Sequence, residues 1–557
     1  MGFNNMKAGE KNIESIIEGK KQYIIPLFQR SYVWEKEHWQ MLWDDLIELY
    51  YSKGNHFLGS FVTTPVVENT EKGPRKFLLI DGQQRLTTIF ILLVILRDKA
   101  KEKNNKIKEE IDQTYLFNPF LEDEDRYKLL LTDLQGDKEC FMHLLENQEI
   151  KYKNNLLFKA FNFFKKRFSE EDYDVRPFEK IITNNLQIVH VELNDDEDPY
   201  KIFESLNAKG EELSQADLIR NYFFMKINME KNKKNEFYQQ RWKPMQLKLE
   251  GNLSEYFRHF LMRTGKVVKK NEVYSTLKKL NDRSTPQEIR NYLEESIKFS
   301  NYYEELLFPT KRKNRKKDIT DRITGLNEIE CTAAYPFLLN VYHDYEEKHI
   351  TEKEFIEILN LLENFLIRRS VCDKTTRYLG AFFPSVYDRA QKEHDFISGV
   401  TKQFLQQQEY PNDHEFKESF VNKQLYNNTA IKKVRFILKK LELFENKEPV
   451  DLENSKAITI EHVMPQKLTD GWEKHLGKKC HDIHEKWGNT IGNLTLSGNN
   501  SKLSQSEFYQ KQKILADSPL KLNKYFINLN KWDEDMIIQR GRSLAEIALK
   551  IWPDFRI

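Results

Sequence analysis

The chain has 557 residues, 39% of them hydrophobic and 31% charged, the balance of a soluble globular protein with room for about two to four domains. Lys and Arg number 88 against 86 Asp and Glu, a net charge of +2, so the molecule as a whole is no polycation and any nucleic-acid surface must be a local patch. Cys140, Cys331, Cys372 and Cys480 are scattered with no Cys-x-x-Cys, no signal-peptide pattern opens the chain, and the longest apolar run, Ile89 to Leu96, is too short to span a bilayer. These features imply no secretion or membrane role, and a reducing cytoplasm is the simplest setting.

In chain order, Ile24 to Trp34 opens a first domain, with Pro26 enforcing extended backbone. Trp39, Leu42, Trp43, Leu46 and Leu49 recur at helical spacing. His56–Thr63 and Lys76–Ile80 read as strands, Asp81-Gly82-Gln83-Gln84-Arg85 as a turn, and Leu86–Lys99 as an apolar helix. A strand, a glycine turn and a helix leave free N–H groups facing whatever anion arrives. Gln187–Leu193 is a further strand, followed by the acidic run Asn194–Asp198 and a helix that starts at Pro199 and ends at Gly210. Ser214 is the expected N-cap of the next helix, with Asp217 at the capping-box position.

From about Asn228 to Phe444 the pattern is helix after helix, including Ser254–Arg263, Pro286–Leu307, Phe355–Ser370 and Thr429–Leu443. Lys311-Arg312-Lys313 opens a basic loop between two of them. A solvated turn is the plain reading; contact with DNA phosphates is the alternative, and Arg368-Arg369 and Lys432-Lys433 are weaker candidates of the same kind. The polar stretch Glu445–Lys456 marks the boundary before the last region. There Ile458–Pro465 alternates as a half-buried strand, Thr490–Leu496 follows the turn Trp487-Gly488-Asn489 as a second strand, and a helix is expected from Asn500 or Ser501 through Lys513.

Glu461 and His462 end the first of these strands, Asn493 lies on the second and Asn500 opens the helix. A neutral imidazole takes a proton from water, and a carboxylate and an amide oxygen hold a hard divalent ion against a phosphate. A lone histidine at a strand end is ordinarily a core residue; the ordered set is what carries the reading. At the other end of the chain, Arg30, Arg85 and Arg220 suit phosphate clamping, and Asp81 suits a metal or an oriented water. There is no Walker A sequence. His475, Cys480, His481 and His484 cluster at a spacing that matches no zinc finger, and a surface segment is the simpler account.

Two motif sets carry a resemblance. Glu-His-x-x-Pro-Gln, Gly-Asn-Leu-Thr-Leu and a following Asn before Ser501-Lys502-Leu503-Ser504 resemble the HNH, or ββα-metal, nucleases, and among them the C-terminal domain of GmrSD-type restriction enzymes. Pro-x-x-Gln-Arg-x-Tyr-x-Trp, Asp-Gly-Gln-Gln-Arg and Asn-x-x-Gly-x-x-Leu-x-x-x-Asp-Leu-Ile-Arg-Asn resemble that family's ParB/sulfiredoxin-like N-terminal domain. The resemblance implies His462 as general base, Asn493 as its orienting asparagine, and Glu461 with Asn500 as ligands of Mg2+ or Mn2+. It implies nucleoside triphosphate binding and hydrolysis, with Asp81 and Arg85 catalytic and Gly82, Gln83, Gln84, Arg85, Asn207, Arg220 and Asn221 holding a nucleotide that is GTP, ATP or CTP. It implies DNA sensing near Gln29, Arg30 and Tyr32, to which the charge argument adds Lys311, Arg312 and Lys313.

The fold expected is α+β, multidomain and predominantly helical: an α/β N-terminal domain over 1–228, an all-α relay over 229–444 and a ββα-metal domain over 445–557. The function implied is a modification-dependent, type IV-like restriction endonuclease in anti-phage defence, acting on double-stranded DNA that carries phosphorothioate or modified cytosine. A homodimer is left open and no membrane is involved. The competing readings are a DNA-binding regulator with a degenerate nuclease fold and an HNH-type RNase toxin of abortive infection.

Overall fold

The structure, a computed structural model, describes residues 7–556 apart from 27–28, 53, 67–72, 104, 133–135, 150–152, 194–213, 228–230, 312–315, 407–408 and 446–457. Asn207, Arg312, Lys313, the acidic run 194–198, the helix expected from Pro199 to Gly210 and most of the 445–456 boundary lie outside the described residues. The chain divides into two compact units: residues 1–238 with 278–291, and residues 239–277 with 292–557. The helical segments and the C-terminal ββ region share the second unit, so position 444/445 falls inside it.

The first unit is organised on a six-stranded mixed sheet of β1 (Lys7–Asn12), β2 (Lys21–Ile24), β3 (His56–Pro65), β4 (Arg75–Asp81), β5 (Leu129–Leu130) and β6 (Leu186–Glu192). Its order is β1-β6-β3-β4-β2-β5. β2 runs parallel to β4, while β3 pairs with β4 antiparallel. The carboxyl ends of β2 and β4 therefore lie at one edge of the sheet. The loop carrying Gln29–Tyr32 leaves from the first and the Asp81–Arg85 turn from the second, where open sheets of this kind collect ligands. The helix Gln83–Lys103 begins three residues earlier than its apolar run. It is apolar on every side because it is surrounded: Leu86 and Ile89 through Leu96 are all at most 4% exposed. The helix Lys36–Ser52 buries Trp39, Leu42, Trp43, Leu46 and Leu49, the stripe its spacing predicts.

Among the described residues the second unit is helical apart from a two-stranded sheet, β7 (Thr459–His462) with β8 (Leu494–Ser497). Helices Leu253–Met262, Pro286–Leu307, Glu352–Val371 and Ile431–Glu445 match the expected ones within three residues at each end. Arg368 and Arg369 are a correction: they are buried, at 0% and 2% exposure. Arg368 donates to Pro411 O and Trp552 O and pairs with Asp413 at 2.9 Å; Arg369 pairs with Glu409 at 2.8 Å. They tie helices and loops together and offer DNA no guanidinium. Among the described residues no helix is long and apolar enough to cross a membrane.

Candidate nuclease and nucleotide sites

The C-terminal site is built from a hairpin-like pairing of distant strands. β7 and β8 run antiparallel with Glu461 opposite Thr495 and His462 opposite Leu494. The strand expected over Thr490–Leu496 starts later, because Ile491–Asn493 is a 3-10 turn. Arg540, on the helix Glu534–Ile551, gathers the carbonyls of Ile491, Gly492 and Leu494 on one guanidinium nitrogen, which no strand ladder permits. The helix approaches so closely that a Cβ on Gly492 would stand 2.2 Å from Ile537 O. The helix expected through Lys513 is also broken: Asn500–Leu503 ends at Ser504, whose φ is +30°, and a second helix runs Phe508–Ala516.

His462 is 8% exposed. Its Nε2 lies 3.1 Å from Asn489 Oδ1, and its ring meets Tyr426 edge-on at 4.6 Å. With that oxygen as acceptor, Nε2 carries the ring proton and Nδ1 the lone pair. Burial pushes the imidazole pKa down to about 4, partly opposed by the Asn489 hydrogen bond, so the ring is neutral at physiological pH.

Asn493 does not make the expected contact with this ring. It is fully buried, with Oδ1 accepting from Met464 N at 2.7 Å and Trp532 Nε1 at 3.1 Å, and Nδ2 donating to Met464 O and Gly488 O at 2.8 Å each. Its amide is spent on the backbone just beyond His462, and it positions the histidine only through that backbone. The side chain that touches the imidazole is Asn489, four residues earlier and inside the very turn that the sequence marks. Tyr426 arrives on a strap: Gln424 bridges to Thr490, Gln424 Nε2 donates to Glu485 O, and Tyr426 N donates to Asn489 O.

Glu461 is 6% exposed and its Oε1 sits 2.7 Å from Lys511 Nζ, which also donates to His462 O at 2.7 Å. Burial raises the carboxyl pKa and lowers that of the ammonium. Lys511 is 0% exposed. The signal for it is present in the sequence, since Phe508, Lys511 and Leu515 form the buried stripe of one helix. Asn500 donates through Nδ2 to Thr459 Oγ1 at 2.7 Å and Ile460 O at 2.9 Å, while its Oδ1 is buried with no hydrogen-bond partner. Thr459 and Glu461 share one face of β7 and His462 lies on the other.

Among the described residues no group of three or more His, Cys, Asp or Glu is placed to hold a metal ion. In the cysteine and histidine cluster, His475 Nε2 accepts from Trp532 N at 3.1 Å and His484 Nε2 meets Pro465 O at 2.9 Å. Both rings are occupied by backbone groups.

In the first unit the three distant sequence blocks meet. Gln29 Nε2 donates to Ile80 O at 2.7 Å, Gln84 accepts from Val33 N at 2.9 Å and donates to Ser31 O at 3.1 Å, and Arg220 Nη2 donates to Gln29 O at 3.0 Å. Gly82 takes φ +93°, and a Cβ there would stand 2.4 Å from the Phe61 ring. Arg85 pairs with Asp81 at 3.3 Å and donates to Leu58 O, and Ser60 Oγ donates to Asp81 Oδ2 at 3.1 Å. Ser214 caps its helix from Asp217 N as expected, and Asp217 pairs with Arg220 at 2.9 Å.

Gln29 and Tyr32 are 3% and 6% exposed, and the Tyr32 hydroxyl is shared with Thr88 and Trp39. Side chains enclosed in this way offer DNA no free edge; they scaffold the cleft lined by Arg30, Ser31, Gln83, Gln84, Thr87 and Asp137. Among the described residues Gln83 Oε1, which lines this cleft, has no hydrogen-bond partner, and neither do Arg220 Nε and the two amide atoms of Asn221. Lys311, in the second unit, is paired with Glu250 and stacked on Phe308.

No curated protein matches the chain. Residues 13–224 match the family described as GmrSD restriction endonuclease, N-terminal domain, and residues 410–547 match that described as GmrSD restriction endonucleases, C-terminal domain. Those spans enclose the two sites just described, and the chain belongs to the GmrSD restriction endonuclease family.

Proposed function

We propose that this restriction endonuclease cuts or nicks modified double-stranded DNA by metal-dependent phosphodiester hydrolysis, under control of a nucleoside triphosphate bound in the first unit. The observation that carries the proposal is the pairing of a neutral His462, held by Asn489 with Nδ1 free of that bond, with the bare buried oxygen of Asn500 across the same strand. A divalent cation, Mg2+ or Mn2+, fits this donor set: Asn500 Oδ1 is an acceptor with nothing to accept from, and Glu461 stands on the same face of β7. Such an ion supplies positive charge against the phosphate oxygens.

The chain's own residues do the rest. His462 Nδ1 takes a proton from water as the water oxygen attacks phosphorus, and the bond to the leaving sugar oxygen breaks. Asn489 keeps the proton of Nε2 in place, so the lone pair always faces outward on Nδ1. Asn493 fixes the backbone after His462, and Arg540 fixes the turn before β8. In the first unit, Arg30 and Arg85 bind phosphates of the nucleotide, and Gln83, Asn221 and Arg220 Nε have the unpartnered atoms to meet its polar groups. Asp81 orients the hydrolytic water. The Gln424–Tyr426 strap, which joins the helical segments to the turn of Asn489, is the route by which those segments bear on the base.

The test is a panel with the full-length protein. Hydroxymethylcytosine, glucosylated and phosphorothioate DNA, unmodified DNA and tRNA are each incubated with Mg2+ or Mn2+, with and without GTP, ATP or CTP. Nucleotide-dependent cutting of one modified DNA is the expected outcome. Cutting of tRNA alone would turn the protein into a ribonuclease, and no cutting in any arm would reduce it to a binding regulator.

A further inference from the structure

The charge of the C-terminal site is unusual for a hard-cation site. The one carboxylate among the proposed ligands, Glu461, is not free: Lys511 Nζ holds its Oε1 at 2.7 Å, with side-chain exposures of 0% for the lysine and 7% for the glutamate. The amide and hydroxyl groups around it, Asn500, Asn489 and Thr459, carry no charge. The cluster therefore sums to zero, and the sum is the same whichever of the two side chains holds their shared proton. Two further buried ions of this region are held by backbone: Arg540 by the carbonyls of Ile491, Gly492 and Leu494, and the Glu442 carboxylate by Lys521 N and Leu522 N. Hard divalent ions give up water reluctantly, and their affinity falls steeply as ligand charge is removed. A neutral site with a single bare amide oxygen has little with which to retain one.

We propose that Lys511 is a built-in counter-cation that keeps the site neutral, so that a divalent ion is retained only together with a DNA phosphodiester, whose negative charge completes the ligand set. Metal and substrate thus load cooperatively, and the resting protein carries no armed ion. Lys511 is suited to the task because its helix, Phe508–Ala516, buries it between Phe508 and Leu515 and its second bond, to His462 O, holds it at the strand's end. The inference rests on the metal-dependent reading above and concerns when the ion binds.

The experiment follows Mn2+ by electron paramagnetic resonance with the full-length His462→Ala protein, so that DNA is not consumed. Titrations are run with and without a hydroxymethylcytosine duplex, and repeated with a phosphorothioate duplex. Mn2+ bound by DNA alone is subtracted. The expected result is Mn2+ uptake tighter by about tenfold or more when DNA is present. Adding Lys511→Met is expected to raise Mn2+ affinity by a similar factor without DNA, and Lys511→Arg to restore the DNA requirement. Equal Mn2+ affinity with and without DNA overturns the proposal while leaving the metal-dependent reading intact. Unchanged affinity in a folded Lys511→Met protein does the same. Absence of Mn2+ uptake in every arm overturns both. Should Lys511→Met fail to fold, the comparison with and without DNA still decides.

Discussion

The two sites use their polar residues in opposite proportions. In the first unit nearly every motif side chain is spent on main chain: Gln29 on Ile80, Gln84 on Ser31 and Val33, Arg220 on Gln29, Arg85 on Leu58. Three segments remote in sequence must be clamped together before any site exists, and what remains for a ligand is the few buried atoms left over. The C-terminal site lies within one stretch of chain. There Asn493 and Arg540 do the clamping, and His462 and Asn500 keep a free edge. A motif is thus a mixture of scaffold and chemistry, and an unpaired buried atom does not by itself separate them, since the clamp Arg540 also leaves Nε and Nη2 without partners.

The largest effect expected is a double dissociation between the two regions. His462→Ala removes the group that takes the proton and lowers cleavage by about 10²–10⁴-fold, with nucleotide hydrolysis unchanged. Asp81→Ala removes nucleotide turnover. Cleavage and hydrolysis assays on the same preparations decide it: undiminished cutting by the first variant, or normal turnover by the second, would relocate the corresponding site.

The next comparison is between two asparagines of the C-terminal region. Asn493→Ala leaves Met464 N, Met464 O and Gly488 O without partners in the interior, a destabilisation of about 3 kcal/mol or more. Asn489 is half-buried and makes one side-chain bond to the His462 ring. Asn489→Leu is expected to leave the melting temperature nearly unchanged and to lower kcat by about 10–100-fold, because Nε2 then no longer holds its proton in place. Equal thermal losses in both variants would make Asn489 a scaffold residue like Asn493.

Much of this was legible in the sequence. The helix spanning Leu86–Lys99, the strands at His56, Lys76 and Gln187, and the Ser214 cap follow from periodicity and capping chemistry. Legible too was the pairing of the strand that ends in Glu461 and His462 with the one that leads to Asn500. What was not legible depends on partners far along the chain. Thr490 to Asn493 has strand composition, yet Arg540 pulls its carbonyls out of register. Arg368 and Arg369 look like a surface pair until Pro411, Asp413 and Glu409 close over them. Lys511 shows most clearly how this happens. Its place on an apolar stripe is visible in the sequence, but the Glu461 carboxylate that justifies burying it lies fifty residues away.

The smallest effect expected separates the regions by acid. His190, on β6, is 4% exposed; its Nδ1 faces Lys11 Nζ at 3.2 Å and its Nε2 faces Thr63 Oγ1 at 2.9 Å. A second proton would have to enter on Nδ1, where the lysine already donates, and would have to be buried. Burial first, then the Lys11 charge, push its pKa down to about 4. Because the folded value lies below the unfolded one, the unfolded chain binds the extra proton first. Its contribution is complete above the ordinary histidine pKa of about 6.5 and is lost as pH falls to about 4. The amount is about 3 kcal/mol. His190→Gln should flatten the acid limb of a stability-against-pH curve followed by denaturant unfolding, without touching cleavage at neutral pH. An acid limb of unchanged slope would show that His190 is already protonated in the folded sheet, with Lys11 displaced from Nδ1.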